Sequence, residues 1–140
     1  DNRPQSWSGR GLAATAALLD RPWRDRVERL ASRCGDLLPA APRPALLHGD
    51  LWSGNILVHG GRLAALIDPA CYHRHAEVDL AMLDLFGGPT DEFHDAYGPL
   101  DAGWRERRPV YQLFPALVHL RLFGASYAPL VDRLLKAVGA

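Results

Sequence analysis

His48-Gly-Asp-Leu-Trp-Ser-Gly-Asn55 decides the reading of this chain, together with Asp68, which follows the apolar run Leu63-Ala-Ala-Leu-Ile67. An Asp, an Asn five residues on and a later Asp fall in a strand-loop-strand-loop order. Phosphoryl transfer from a nucleotide uses three such side chains. One carboxylate faces the attacking hydroxyl; an amide oxygen and a second carboxylate hold the divalent cation on the phosphates.

The surrounding pattern says how these residues are carried. Ala45-Leu-Leu47 reads as a short strand leading into the loop. Ile56–His59 and Leu63–Ile67 flank Gly60-Gly61, which predicts a hairpin with a two-residue glycine turn. Asn55 then stands at one end of the hairpin and Asp68 at the other, on the same edge. Pro69–Ala76 reads as a loop.

Helical patterns occupy the rest. Leu12–Leu19 is Ala/Leu-rich. Trp23, Val27, Leu30, Ala31, Cys34, Leu37 and Leu38 recur at three- and four-residue steps, which predicts an amphipathic helix with Asp20 as N-cap and Pro22 in its first turn. Glu77–Phe86 is helical up to Gly87-Gly88-Pro89, and Asp91 caps a short helix to Tyr97. Trp104–Phe123 is long and carries Pro109 and Pro115; Tyr127–Val138 closes the chain. Asp1–Gly11, rich in Pro, Ser and Gly, reads as a connector. The expected class is α+β: helices around one or two small β-hairpins.

Bulk properties exclude several functions. The chain has 140 residues, 48% of them apolar, enough for one folded domain with a core. Net charge is zero, so no basic field points to nucleic acid. No apolar run has the length of a membrane span, and the first ten residues are too polar for a signal peptide. Two cysteines, Cys34 and Cys71, are too few for a disulfide framework, which predicts a cytoplasmic protein. The chain begins at Asp1 and its single methionine is Met82, so it is read as beginning within a longer protein.

Each candidate has a plainer reading beside it. Asp50 is a loop Asp in a turn, or the carboxylate that takes the acceptor's proton. Asn55 caps a turn, or offers its amide oxygen to Mg²⁺. Asp68-Pro69 opens a turn, or displays a metal-binding carboxylate at a strand end. The coincidence of all three favours the catalytic reading. His48 and Asp79 are read as supports of the loop, through hydrogen bonds to its backbone; Asp84, one helical turn after Asp79, belongs to a solvated face. Cys71, His73 and His75 contain metal-binding groups but match no closed zinc spacing, so the segment after Asp68 is read as facing substrate. Trp52 is a core residue or the wall of an acceptor pocket that stacks on a sugar.

Three longer runs carry a resemblance: Leu46–Asn55, Ile67-Asp-Pro-Ala-Cys-Tyr72 and His75-Ala-Glu-Val-Asp-Leu-Ala-Met-Leu-Asp-Leu-Phe-Gly-Gly88. With Gly103-Trp-Arg105, Tyr111, Leu117, His119, Phe123-Gly124 and Tyr127, they resemble the C-terminal lobe of the fructosamine kinase (ketosamine 3-kinase) family. That family belongs to the aminoglycoside phosphotransferase and protein-kinase-like superfamily. The likeness runs from about residue 44 to the end and, more loosely, over the preceding helices, and departs from the family's more frequent Gly-His-Arg order at Arg74-His75-Ala76.

The resemblance implies ATP-dependent phosphorylation of a sugar hydroxyl on a ketoamine of fructosamine or ribulosamine type. Asp50 is then the base, Asn55 and Asp68 hold Mg²⁺, and Trp52, Tyr72 and His75 face the acceptor. It also implies a mainly helical, kinase-like C-terminal lobe over residues 12–140. No glycine-rich phosphate loop occurs, and Lys136, the single lysine, falls in the last helix. A nucleotide-binding N-terminal lobe is thus expected as a missing partner, with weak activity and self-association through the exposed lobe interface in its absence. The alternatives are an aminoglycoside- or choline-type kinase, and a relict lobe that binds without catalysing.

Overall fold

The computed structural model describes Pro4–Ala140, with side chains described from Arg10 onward. Six α-helices and four short strands follow in the order α1 (Pro4–Ala16), α2 (Arg21–Leu37), β1 (Pro44–Leu47), β2 (Ile56–His59), β3 (Arg62–Leu66), β4 (Tyr72–His75), α3 (Glu77–Leu85), α4 (Asp91–Tyr97), α5 (Trp104–Phe123) and α6 (Ala128–Ala137). The mainly helical α+β class is as expected. The chain divides into two compact units, residues 43–104 and the segments on either side.

The flanking segments form a helical unit. α1 and α2 pack on each other across a turn at residues 17–20. Leu12 and Ala16 are buried from α1, and Val27, Leu30 and Cys34 from α2. These positions are the apolar steps of the sequence, so periodicity alone explains which faces turn inward. Val131, Leu134, Leu135 and Val138 repeat the pattern at the C-terminal end. Arg26 ties that end to α2: it donates to the Ala140 carbonyl at 3.0 Å and meets Asp132 at 2.8 Å.

Two details depart from expectation here. The residues taken as a connector are helical from Pro4 on, because the Ala/Leu-rich segment propagates its helix back to a proline that is tolerated in a first turn; residues 1–3 lie outside the described part. Asp20 does occupy the N-cap of α2, with a proline in the first turn, but its side chain makes no capping bond.

The unit at residues 43–104 holds two separate two-stranded antiparallel sheets. β2 and β3 form the predicted hairpin. Gly60 and Gly61 have φ of 57° and 72°, the two consecutive left-handed residues that a tight hairpin turn of this hand requires. Ile56 pairs with Leu66 and His59 with Arg62. Its apolar side chains stay largely uncovered, with Val58 65% and Leu63 64% exposed.

The second sheet is a correction. Tyr72–His75 is a strand, not part of a loop, and pairs with β1 from Leu47↔Tyr72 to Pro44↔His75. Alternating polar side chains concealed it, because the strand is specified by its partner more than by local propensity. At α4, Thr90 rather than Asp91 is the N-cap.

Candidate active site

β1 delivers the chain into the His48–Asn55 loop, and polar contacts to backbone shape it. The Asp79 carboxylate, on α3, accepts the His48 N–H at 2.7 Å and the Gly49 N–H at 2.9 Å. One carboxylate thus satisfies two consecutive backbone donors. Gly49 has φ 83°, and a Cβ there would collide with the Tyr72 ring. Only glycine meets both demands.

Asp50 and Asn55 come together directly. The Asn55 Nδ2 group donates to the Asp50 carbonyl at 2.9 Å and to Asp50 Oδ2 at 3.1 Å. Both partners are acceptors, so the amide nitrogen must face them and the amide oxygen faces away. Asn55 is buried, and its backbone joins the loop to the next segment: its N–H bonds Trp52 O at 2.9 Å and its carbonyl accepts Ile67 N–H at 3.0 Å. That last bond extends the hairpin ladder by one step and brings the start of the Asp68 turn to Asn55.

Asp68 is exposed and sits at φ 53°. Left-handed backbone at a non-glycine residue costs about 1–3 kcal/mol, and Asp tolerates it better than most. His48 spans the turn: its Nε2 lies 2.9 Å from Ile67 O, and its carbonyl accepts the N–H groups of Ala70 and Cys71 at 2.8 and 3.2 Å. The Asn55 amide oxygen and the Asp68 carboxylate are both hard oxygen donors, a set that fits Mg²⁺.

Tyr72 starts β4 with its ring against Gly49. Burial, and then the neighbouring Asp79 and Asp50 carboxylates, push its hydroxyl above the ordinary value, against the opposite pull of Arg74. Tyr72 therefore shares its surroundings with the Asp79 and Asp50 carboxylates. The Trp52 ring folds over Gly54 of its own loop and is 39% exposed.

His75 lies three residues further along β4, about 10 Å at the usual strand rise. Its Nδ1 is 3.5 Å from the Glu77 carboxylate. His75, Glu77 and Asp101 offer ligand atoms within 4.8 Å of one another, and among the described residues Cys71 and His73 do not join them. Asp84 is not on an open face: its side chain is 10% exposed, 3.9 Å from His94.

Glu77 and Gly49 were missed by sequence reasoning. Glu77 is 3% exposed, and its signal was position: it shares a helix face with Leu80 and Ala81, three and four residues on. Gly49 carries no such signal, because its constraint comes from Tyr72, distant in sequence.

The sequence pattern of the fructosamine kinase family matches residues 15–139. A probable ketoamine kinase of Enterococcus faecium is 48% identical over 101 residues, 70% of this chain and 36% of that protein. The probable ketoamine kinase YniA of Escherichia coli K12 is 46% identical over 118 residues, 79% of this chain and 40% of that protein. Among solved structures, a candidate fructosamine-3-kinase of Thermobifida fusca superposes with a TM-score of 0.79 at 38% identity, covering 96% of this chain and 50% of that one. Another, from Haemophilus somnus, gives 0.72 at 26% identity, covering 99% and 47%. The chain thus spans well under half the length of these curated relatives and about half of these solved chains. Its helices and two small sheets are those of a kinase-like lobe. With the pattern matched over nearly its whole length, the chain belongs to the fructosamine kinase family.

Proposed function

We propose that this chain is the catalytic part of an ATP-dependent kinase acting on ketoamines of fructosamine or ribulosamine type. The observation that carries the reading is the direct Asp50–Asn55 pair, with Asn55 hydrogen-bonded in turn to the start of the Asp68 turn. In this reading Asp50 orients the acceptor hydroxyl and takes its proton as the new O–P bond forms and the bond from the γ-phosphorus to ADP breaks. Asn55, through its oxygen, and Asp68 hold Mg²⁺. The bound ion supplies charge neutralisation on the phosphate oxygens. His48 and Asp79 hold the loop. Trp52 and Tyr72 flank it and, with His75 further along β4, form the acceptor side.

Residues 12–140 are then the C-terminal lobe. The relatives' greater length and the uncovered leucines of the β2–β3 hairpin support a nucleotide-binding half seated on that hairpin. Without it, self-association through the same surface is expected. Among the described residues no helix is long and apolar enough to cross a membrane, and with both cysteines as free thiols this supports a cytoplasmic setting.

The test is phosphate transfer from ATP to a fructosyl-amine by a polypeptide carrying this sequence and a nucleotide-binding half. Asp50→Asn should lower the rate by about 10²–10⁴-fold while leaving the fold intact. Turnover of aminoglycoside or choline instead of ketoamine would reassign the acceptor. No turnover of any of them, with the fold intact, would leave a binding lobe.

A further inference from the structure

Where the α1–α2 turn meets the end of α5, the helical unit leaves a cavity of about 310 Å³. Its lining comes from residues 18–23 and 120–128, with nothing from the unit at residues 43–104. The space arises from a shortage of side-chain volume at one corner. Gly124, Ala125 and Ala128 line it together, and a Cβ at Gly124 would meet nothing within 4 Å. Packed helices normally fill such corners, and a space of this size is enough for a small ligand.

The lining combines three chemistries. Leu19 and Leu120 supply apolar surface, and Trp23 an indole ring with the Arg26 guanidinium held 5.8 Å from its centroid. Asp20 and Arg121 bring one charge of each sign. Asp20 has the extended backbone of an N-cap, yet its carboxylate makes no capping bond. Among the described residues neither Asp20 nor Arg121 has an ion-pair partner, so the two line one cavity without pairing with each other. An apolar ligand would leave both charges unanswered, and a ligand of single charge would leave one. An α-amino acid with an apolar side chain answers all three features: its carboxylate suits the guanidinium, its ammonium the Asp20 carboxylate, and its side chain the indole and the leucines. We infer that this cavity is a binding site for a free α-amino acid with an apolar side chain. It shares no residue with the acceptor side of the candidate active site and does not rest on the kinase reading.

The probe is L-phenylalanine, added to the 140-residue chain and followed by NMR through backbone amides and the Trp23 indole N–H. Two analogues remove one charge each: 2-phenylethylamine lacks the carboxylate and 3-phenylpropionate lacks the ammonium. The expected result is a saturable shift centred on residues 18–23 and 120–128, with a dissociation constant of about 1 mM or tighter. Either analogue should bind about three- to tenfold more weakly. Asp20→Asn should then erase the preference over 3-phenylpropionate, and Arg121→Gln the preference over 2-phenylethylamine, with Arg121→Lys restoring most of the latter. Ala128→Leu fills the corner and should abolish binding while the spectrum stays that of a folded chain. Asp20 and Arg121 are exposed, so their variants test the site even where filling the corner disturbs packing. No saturable shift in the millimolar range overturns the site. Equal affinity for all three compounds, or preferences unchanged in both charge variants, overturns the zwitterion. Shifts centred on Trp52 and Tyr72 instead would place the amino acid on the acceptor side and overturn the cavity.

Discussion

The helical unit and the unit at residues 43–104 are built on different physics. In the first, buried apolar side chains at helical spacing do the specifying: Val27, Leu30 and Cys34 on α2, Val131, Leu134 and Leu135 on α6. In the second, far fewer apolar side chains are buried, and much of the loop's shape comes from polar side chains gripping backbone: Asp79 on two N–H groups, Asn55 on Asp50, His48 on Ile67. Apolar burial is non-directional and tolerates small shifts. Hydrogen bonds to backbone fail over a few tenths of an ångström, so they fix geometry more tightly than they add stability. The second kind of construction suits a loop whose side chains are held at set positions, and the first kind suits the helical unit.

The contrast can be broken by substitution. Leu30→Ala should cost about 2–5 kcal/mol of unfolding free energy, measured in urea, while the native-state chemical shifts of His48–Asn55 stay unchanged. A shifted loop in that variant would mean that the site depends on helix packing in detail. Asp79→Asn should cost less, about 1–3 kcal/mol, because the amide still accepts one backbone N–H and turns its own donor toward the other. Its signature is local: faster amide exchange at His48 and Gly49 ahead of global unfolding, and a lower phosphorylation rate in the complete enzyme. Uniform loss of protection across α2 and α6 would contradict the separation.

An effect confined to alkaline pH sharpens the comparison from the apolar side. Burial pushes the Cys34 thiol from 9.0 up to about 11. The raised folded value means that the folded state keeps its proton while the unfolded chain releases it. Stability from this group is full below about pH 9 and is lost as the pH rises toward 11. Between those values the chain should lose on the order of 2 kcal/mol more than Cys34→Ala does. Equal slopes for the two proteins would show that the thiol is not held dry.

That Asn55 and Asp68 would flank one hairpin was legible in the sequence, because its glycine turn is a local property. Gly60-Gly61 specified the turn, but a shift of register between Leu57 and Val58, which no local signal marked, is what brings Asn55 to Ile67. His48 and Asp79 were legible as supports in kind, though not in their partners. β4 was not legible, since Tyr72-His-Arg-His75 has no apolar alternation and becomes a strand by pairing with β1. Trp52 and His75, both expected to face an acceptor, each meet a neighbour two residues on, Trp52 over Gly54 and His75 beside Glu77.

Short-range order therefore belongs to the sequence itself: the helical faces, the glycine turn and the three chemistry-bearing residues follow from periods of two to four residues and from the conformations that glycine and proline permit. The tertiary structure decided what depends on partners remote along the chain. It determined that Gly49 must lack a Cβ beneath Tyr72, that Asp79 would reach back thirty-one residues to His48, and that one imidazole would span both carboxylate-bearing segments. Those are directional contacts between segments, and no local pattern encodes a direction that exists only after the chain has folded.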